Sequence, residues 1–188
     1  MNFAMAFIEK EVPQVQRWLD WVAELGGLGQ HRLFLMPFKG LTPNFRTNIS
    51  FTIVKDEEGR TTDWGEDAKS AIRDAAGPNS MLRQFAWYFH PLGRQNLGPA
   101  WMFCEPDAIP LRSGWADELE HEYRGCGKPF MAAFVKGAEG LFPDHPTGNM
   151  IFPELAAEMS KGLMLPQYVK IEGGDGRLVE YAFDVACA

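Results

Sequence analysis

Two acidic residues, Glu105 and Asp107, stand one residue apart directly after the apolar run of residues 100–104. The run carries no charge, as expected of a central strand covered on both faces, and the prolines that follow it prevent further strand pairing. We therefore expect both carboxylates at the tip of a buried strand. There they can share one hard divalent cation. The alternative is that they belong to a loop and cap the helix that begins near Ser113.

The elements that must position these acids alternate between strands and helices. Residues 3–8 form an apolar run, and residues 12–25 repeat apolar side chains every three or four positions before a Gly-Gly pair. These patterns predict a strand followed by an amphipathic helix. Residues 32–37 and 49–54 are the expected second and third strands. A strand, helix, strand order of this kind predicts a parallel sheet with right-handed crossovers.

The rest of the chain continues the pattern less regularly. The further expected elements are helices over residues 63–76, 79–89, 114–124 and 151–161, a strand over 130–135, and a hairpin of 168–171 with 177–185. Asn79 or Ser80 is the expected cap of the second helix in this series. Residues 144–149 read as a turn-rich loop. Together the elements predict one α/β domain over residues 1–188, with a mostly parallel central sheet flanked by helices.

Composition and charge exclude several classes of protein. The net charge is -7 over 188 residues, and no long Lys/Arg cluster occurs, so a broad nucleic-acid footprint is not supported. The three cysteines have no C-x-x-C spacing, which indicates neither a zinc site nor a disulfide framework and fits a reduced, cytoplasmic compartment. No apolar run approaches about 18 residues, so we expect no membrane span.

Four segments carry a family resemblance when taken in order. They are residues 77–84 (GPNSMLRQ), 101–115 (WMFCEPDAIPLRSGW), 127–130 (GKPF) and 145–153 (HPTGNMIFP). Together they resemble the nucleotide-diphospho-sugar transferase (GT-A) fold, and more closely a group of predicted glycosyltransferases of tailed phages. The resemblance implies a nucleotide-sugar-binding core over 1–135 and a shortened acceptor-side region over 136–188. If the chain is phage-encoded, its compartment is the host cytoplasm.

The activity that the resemblance implies is metal-dependent transfer of a sugar from a nucleotide-sugar donor, with Mn²⁺ or Mg²⁺ as cofactor. Glu105 and Asp107 stand where such families have Asp-x-Asp. Asp107 is therefore expected to bind the metal directly, and Glu105 to act through water or the ribose. His145 is either a late metal ligand, an acceptor contact, or a hydrogen-bonded loop histidine. Asp184 is the candidate base that deprotonates the acceptor hydroxyl in an inverting transfer.

Further residues are expected around the donor. Arg83 and Arg112 are the candidates for neutralising charge on the β-phosphate of the leaving nucleotide. Arg83 lies near an expected helix start, where free N–H groups attract an anion, although a solvated surface arginine is the alternative. Glu9 and Lys10 after the first strand, and Asp56 at the tip of the third, lie where the resemblance implies that the base and ribose bind.

The three tryptophans Trp64, Trp87 and Trp101 either stack on a sugar or base or fill the core, and the apolar patterns around the last two favour the core. The acceptor stays open between a modified base in phage DNA, a polysaccharide and a protein. The net charge counts mildly against DNA.

A competing hypothesis is a transferase-like module that binds a nucleotide, glycan or protein partner with little or no catalysis. It follows from the weak pattern after Asn149, which reaches Asp184 without an obvious third metal ligand or lid. On this hypothesis, transfer by the chain alone is poor because water has access to the donor. A partner subunit or a second copy of the chain would supply the missing wall.

Overall fold

The computed structural model describes residues 1–55, 76–89, 100–136, 145–153, 168–170 and 178–180. Its elements are β1 (Asn2–Phe7), α1 (Val12–Glu24), β2 (Arg32–Pro37), β3 (Phe51–Ile53), α2 (Ala76–Phe89), β4 (Ala100–Phe103), α3 (Trp115–Cys126), β5 (Met131–Val135), β6 (His145–Pro153), β7 (Tyr168–Lys170) and β8 (Leu178–Glu180). A short 3-10 helix, Glu9–Glu11, joins β1 to α1. The α/β class predicted from the sequence is confirmed.

A six-stranded sheet has the order β3-β2-β1-β4-β6-β5. β1 pairs in parallel with β2 on one side and β4 on the other, and β2 pairs in parallel with β3. β4 pairs with β6 in the antiparallel direction. The expectations of a mostly parallel sheet and of residues 100–104 as an interior strand are therefore confirmed, and β6 runs antiparallel to β4.

The core forms because alternate residues of the strands meet the apolar stripe of α1. Phe3, Met5 and Phe7 of β1 are fully buried on one face of the sheet. The α1 residues that pack in the same cluster recur every three or four positions: Val15, Trp18, Leu19 and Val22. Trp115 and Ala116 at the start of α3 complete this cover. α1 ends before Gly26 and Gly27, whose φ angles of 96° and 83° suit glycine.

The segment from residue 145 to 153 corrects two expectations. The sequence indicates a loop over 144–149 and a helix beginning at 151, but His145–Pro153 is a strand. Residues 151–153 pair with β4, and Met150, Ile151 and Phe152 are buried. Tertiary pairing thus overrides the turn signal of the local prolines and glycine. Residues 154–161 of the expected helix lie outside the described residues.

α2 also begins earlier than expected. Its first residue is Ala76, so Asn79 and Ser80 are inside the helix and neither is its cap. The expected helix over 63–76 lies outside the described residues except for Ala76.

β7 and β8 form a separate antiparallel pair, which confirms the two strands of the expected hairpin. The connecting residues 171–177 lie outside the described part of the chain. Among the described helices, none is both long and apolar enough to cross a membrane.

The chain divides into two compact units. The first comprises Met1–Asp63, Pro99–Met131 and Asn149–Pro153, and the second comprises Trp64–Gly98, Ala132–Gly148 and Glu154–Ala188. The acidic tip and α1 belong to the first unit, whereas α2 belongs to the second. The expectation of a single domain stays a prediction.

Candidate functional site

The candidate site lies where the order of the strands in the sheet reverses. From β1 the chain continues to β2 and β3 on one side, whereas β4 lies on the other side of β1. The carboxyl ends of β1 and β4 therefore flank a topological switch point, which in open α/β sheets is where ligands bind. The segment that follows β4 carries Glu105 and Asp107, and the segment that follows β1 is the short helix Glu9–Glu11.

Burial ends abruptly at this tip. Cys104 is 3% exposed, and its backbone N–H still donates to the carbonyl of Ala4 at 2.8 Å. The next residue, Glu105, is exposed, as is Asp107. Burial, together with the adjacent charge of Glu105, raises the pKa of the Cys104 thiol to about 12. The chain thus passes from a buried residue, Cys104, to an exposed carboxylate, Glu105, in one step.

Asn149 of β6 holds Glu105 through both ends of its amide. The Asn149 Oδ1 accepts a hydrogen bond from the backbone N–H of Glu105 at 2.8 Å, and its Nδ2 donates to Glu105 Oε2 at 3.0 Å. A side-chain amide is suited to this because it carries a donor and an acceptor side by side. Sequence reasoning missed Asn149, since the residues around it read as a loop. Its place in a strand beside β4 became visible only with the pairing.

Two tryptophans of α1 hold the rest of the loop. The indole N–H of Trp18 donates to the carbonyl of Ala108 at 2.9 Å, and that of Trp21 donates to the carbonyl of Pro110 at 2.7 Å. A turn closed by the Ala108 N–H and the Glu105 carbonyl, 3.1 Å apart, adds a local constraint. The loop is therefore anchored at both ends, which limits the entropy that a ligand must remove on binding.

Asp107 lines a groove between this loop and the outer side of α1. The groove has a volume of about 510 Å³. Its lining residues are Gln14, Arg17, Trp18, Asp20, Trp21, Glu24, Pro106, Asp107 and Ile109. A smaller cavity of about 180 Å³, lined by Cys104, Trp115 and Asn149 among others, lies under the same loop.

The segment that follows β1 is a short 3-10 helix, Glu9–Glu11. Glu9 and Lys10 are exposed within the short 3-10 helix. Glu11 turns back, and its Oε2 accepts a hydrogen bond from the backbone N–H of Ile8 at 3.0 Å. Glu9 and Lys10 thus project from a fixed turn at the carboxyl end of β1. Their contact with a base or ribose stays a prediction.

The two arginines expected at the donor phosphates lie in different units. Arg112 belongs to the first unit, is 69% exposed, and forms an ion pair with Glu118 of α3. Arg83 belongs to the second unit and lies about two turns into α2, because that helix begins at Ala76. The argument that placed Arg83 at a helix start is therefore wrong, and its phosphate contact stays a prediction without that support.

Several expected site residues fall elsewhere. His145 is the first residue of β6 rather than part of a loop, which corrects its expected surroundings, and its role as a metal ligand stays a prediction. Asp56, Asp184 and Trp64 lie outside the described residues. Trp101 is 1% exposed and stacks on Phe152 with ring centroids 4.2 Å apart, so its assignment to the core is confirmed.

The two carboxylates suit a hard divalent cation by their chemistry and exposure. Within the described part of the chain, no three His, Cys, Asp or Glu side chains form a group that could hold a metal. Mg²⁺ is nevertheless commonly held by one or two carboxylates, with water and substrate phosphates as the other ligands. Metal binding by Glu105 and Asp107 stays a prediction.

At the opposite end of the same unit, a buried histidine has a different environment. His31 is 7% exposed, and its Nε2 lies 2.9 Å from Asp117 Oδ1 of α3. Its ring packs edge-on against Phe3, with centroids 5.8 Å apart. His31 is therefore a packed and hydrogen-bonded core residue that links the start of β2 to α3.

Comparison with known proteins adds no family assignment: no family model matches the chain, and no curated protein matches it significantly.

Proposed function

We propose that this chain is a metal-dependent glycosyltransferase that binds a nucleotide-sugar donor at the carboxyl ends of β1 and β4. The observation that carries the proposal is the placement of Glu105 and Asp107, both exposed, at the point where the strand order reverses. The resemblance of residues 101–115 and 145–153 to GT-A glycosyltransferases supports the same reading. So does the anchoring of the acidic loop by Asn149, Trp18 and Trp21.

The chain's own residues have distinct parts in this proposal. Asp107 and Glu105 would hold Mg²⁺ or Mn²⁺, which when bound neutralises charge on the donor diphosphate. Asn149 keeps the Glu105 backbone and carboxylate in one orientation. Trp18 and Trp21 keep the loop against α1, so that Asp107 does not have to be ordered on binding. Glu9 and Lys10 stand at the neighbouring strand end, where the nucleoside would lie.

The test is thermal-shift measurement with UDP-, GDP-, CDP- and ADP-sugars, each with and without Mn²⁺. One sugar nucleotide should stabilise the protein in Mn²⁺, by about 2.7 kcal/mol at a hundredfold excess over Kd. Asp107→Asn should weaken this binding at least tenfold in Mn²⁺ and leave binding without metal almost unchanged. Glu105→Gln should act in the same direction but less strongly.

Glu122→Gln is the matched control, because it removes one negative charge from an exposed position of α3. It should leave nucleotide binding unchanged. Equal losses for Asp107→Asn with and without Mn²⁺ would mean that Asp107 only shapes the loop, and the donor-site proposal would then be wrong.

A second candidate function is a donor-binding module without efficient transfer. The observation in its favour is that, among the described residues, no group of three or more acidic, His or Cys side chains is placed to hold a metal. Release of nucleoside diphosphate, followed with and without acceptor, separates the two functions. Acceptor-dependent release supports the transferase, whereas metal-dependent binding with only slow hydrolysis supports the module.

A further inference from the structure

The groove beside Asp107 has the size and the wall of a small-ligand site. Its volume of about 510 Å³ falls within the range of roughly 300–1,000 Å³ that is usual for such sites. Pro106 and Asp107 form part of its lining, so it is continuous with the acidic tip. It lies wholly within the first unit. A ligand in it would therefore reach the residues that we propose to bind the donor.

Trp21 is the distinctive residue of this wall. The α1 residues that cover the sheet are Val15, Trp18, Leu19 and Val22, and Trp21 is not among them. It is 38% exposed, although its indole N–H is already bonded to the carbonyl of Pro110. Because the polar edge of the ring is satisfied within the protein, what the ring can offer a ligand is its apolar surface.

The polar lining carries both donors and acceptors. Gln14, Arg17 and the carboxylates of Asp20, Glu24 and Asp107 line the same groove as Trp21. A ligand with hydroxyl groups on an apolar ring frame can use both kinds of partner and also pack against the indole. A saccharide has this chemistry.

Charge argues against a nucleic acid in this groove. Three carboxylates against one guanidinium repel a phosphate backbone, which disfavours DNA. The same charge balance would attract a cationic peptide, although one of the carboxylates, Asp20, already accepts a hydrogen bond from Gln16 at 2.8 Å. Tetralysine is therefore the competing ligand that the experiment must exclude.

We propose that this groove binds a saccharide and that the saccharide is the acceptor of the transfer. The role as acceptor rests on the proposed function, but the binding itself does not. Saccharide binding is therefore expected without metal and without nucleotide, which makes the groove testable separately from the donor site.

The experiment uses saturation-transfer NMR on the full chain in EDTA, with maltotriose, cellotriose, chitotriose and mannotriose as probes. A DNA duplex of twelve base pairs and tetralysine are tested in parallel. At least one trisaccharide should bind saturably. Trp21→Ala should weaken that binding at least tenfold, whereas Trp21→Phe should stay within about threefold, because it keeps an aromatic ring.

Two controls distinguish a loss of contacts in the groove from a change in the structure of the loop. Leu111→Ala truncates an apolar side chain that is 85% exposed and does not line the groove, so it should leave binding unchanged. Trp21→Phe loses the hydrogen bond to Pro110 as Trp21→Ala does. A loss common to both would mean that Trp21 acts by holding the loop. Circular dichroism and melting curves establish that each variant is folded.

The proposal is overturned if no trisaccharide binds saturably, if Trp21→Ala and Leu111→Ala have equal effects, or if only the duplex or tetralysine binds. The donor-site proposal can fail independently, through nucleotide binding that does not respond to Mn²⁺ or Asp107→Asn. Saccharide binding without a donor site would leave the groove as a glycan site of a binding protein and would remove its role as acceptor site.

Discussion

The two ends of the first unit use similar polar residues for opposite purposes. At the amino end of β2, His31 is buried, bonded to Asp117 and packed against Phe3. At the carboxyl end of β4, Glu105 and Asp107 are exposed on a loop that other residues hold in place. A buried polar group must find its partners within the fold, whereas an exposed one on a fixed loop is available to a ligand. The comparison gives His31 a structural role and leaves Glu105 and Asp107 available for the ligand that we propose.

The largest expected difference between the two ends is in how a substitution changes the stability of the protein. His31→Ala removes a buried ring and its two hydrogen bonds, to Asp117 and to the amino-terminal nitrogen of Met1, so the free energy of unfolding should fall by about 2 kcal/mol. Asp107→Asn, at an exposed position, should change it by less than about 0.5 kcal/mol. Urea unfolding followed by circular dichroism measures both. A large loss for Asp107→Asn and none for His31→Ala would reverse the assignment of the two ends.

The next test concerns the boundary between core and tip at Cys104. Its thiol has a pKa raised by burial from 9.0 to about 12, so the folded state holds a proton that the unfolded state releases above pH 9. The resulting stabilisation is full below pH 9 and is lost as the pH rises towards 12. The expected slope is about -1.4 kcal/mol per pH unit within that window.

Cys104→Ala should remove this slope, whatever it does to stability at pH 7. Urea unfolding at pH 7, 9 and 10.5 provides the measurement. Burial also raises the pKa of Tyr88 and Tyr123, so the informative quantity is the difference between variant and parent. Parallel curves for the two proteins would show that the thiol is already accessible to water in the folded state.

The strand that carries the acids could be predicted because its signal is local and continuous. An uncharged run that ends at prolines admits few interpretations, and β4 lies where the sequence indicated. The amphipathic period of α1 and its glycine ending were equally direct. The class of the fold followed from the order of these elements.

The partners of the acidic loop could not be predicted, because they depend on contacts between distant residues. Asn149 is 44 positions from Glu105, and the local prolines and glycine of its segment indicate a turn rather than a strand. Trp18 and Trp21 read as helix residues, but nothing in their spacing shows that their indoles reach carbonyls about 90 residues later.

A smaller effect is expected for the contact that holds Glu105. Asn149→Ala removes two hydrogen bonds of a half-buried side chain, so stability should fall by about 1 kcal/mol. Asn149→Asp keeps an acceptor for the Glu105 N–H but replaces the donor with an oxygen facing the Glu105 carboxylate. It should therefore be worse than Ala for stability at pH 7. Metal-dependent nucleotide binding should weaken in both variants, and unchanged binding would show that Glu105 needs no support from β6.

The smallest effect is expected at the ion pair of Arg112 and Glu118. There the informative result is whether each substitution weakens or strengthens binding of the sugar nucleotide. Arg112 and Glu118 are paired but exposed at 69% and 48%, so Arg112→Ala should change stability by no more than about 0.5 kcal/mol.

If Arg112 serves the donor diphosphate, Glu118 competes with that phosphate for the guanidinium. Arg112→Ala should then weaken binding of the sugar nucleotide, by about threefold at low salt and less at high salt. Glu118→Gln should strengthen it, because the guanidinium loses its competing anion. Titration of both variants at two salt concentrations provides the measurement. Weakening by both substitutions would mean that the ion pair positions the loop as a unit, and Arg112 would then lose its place as a phosphate contact.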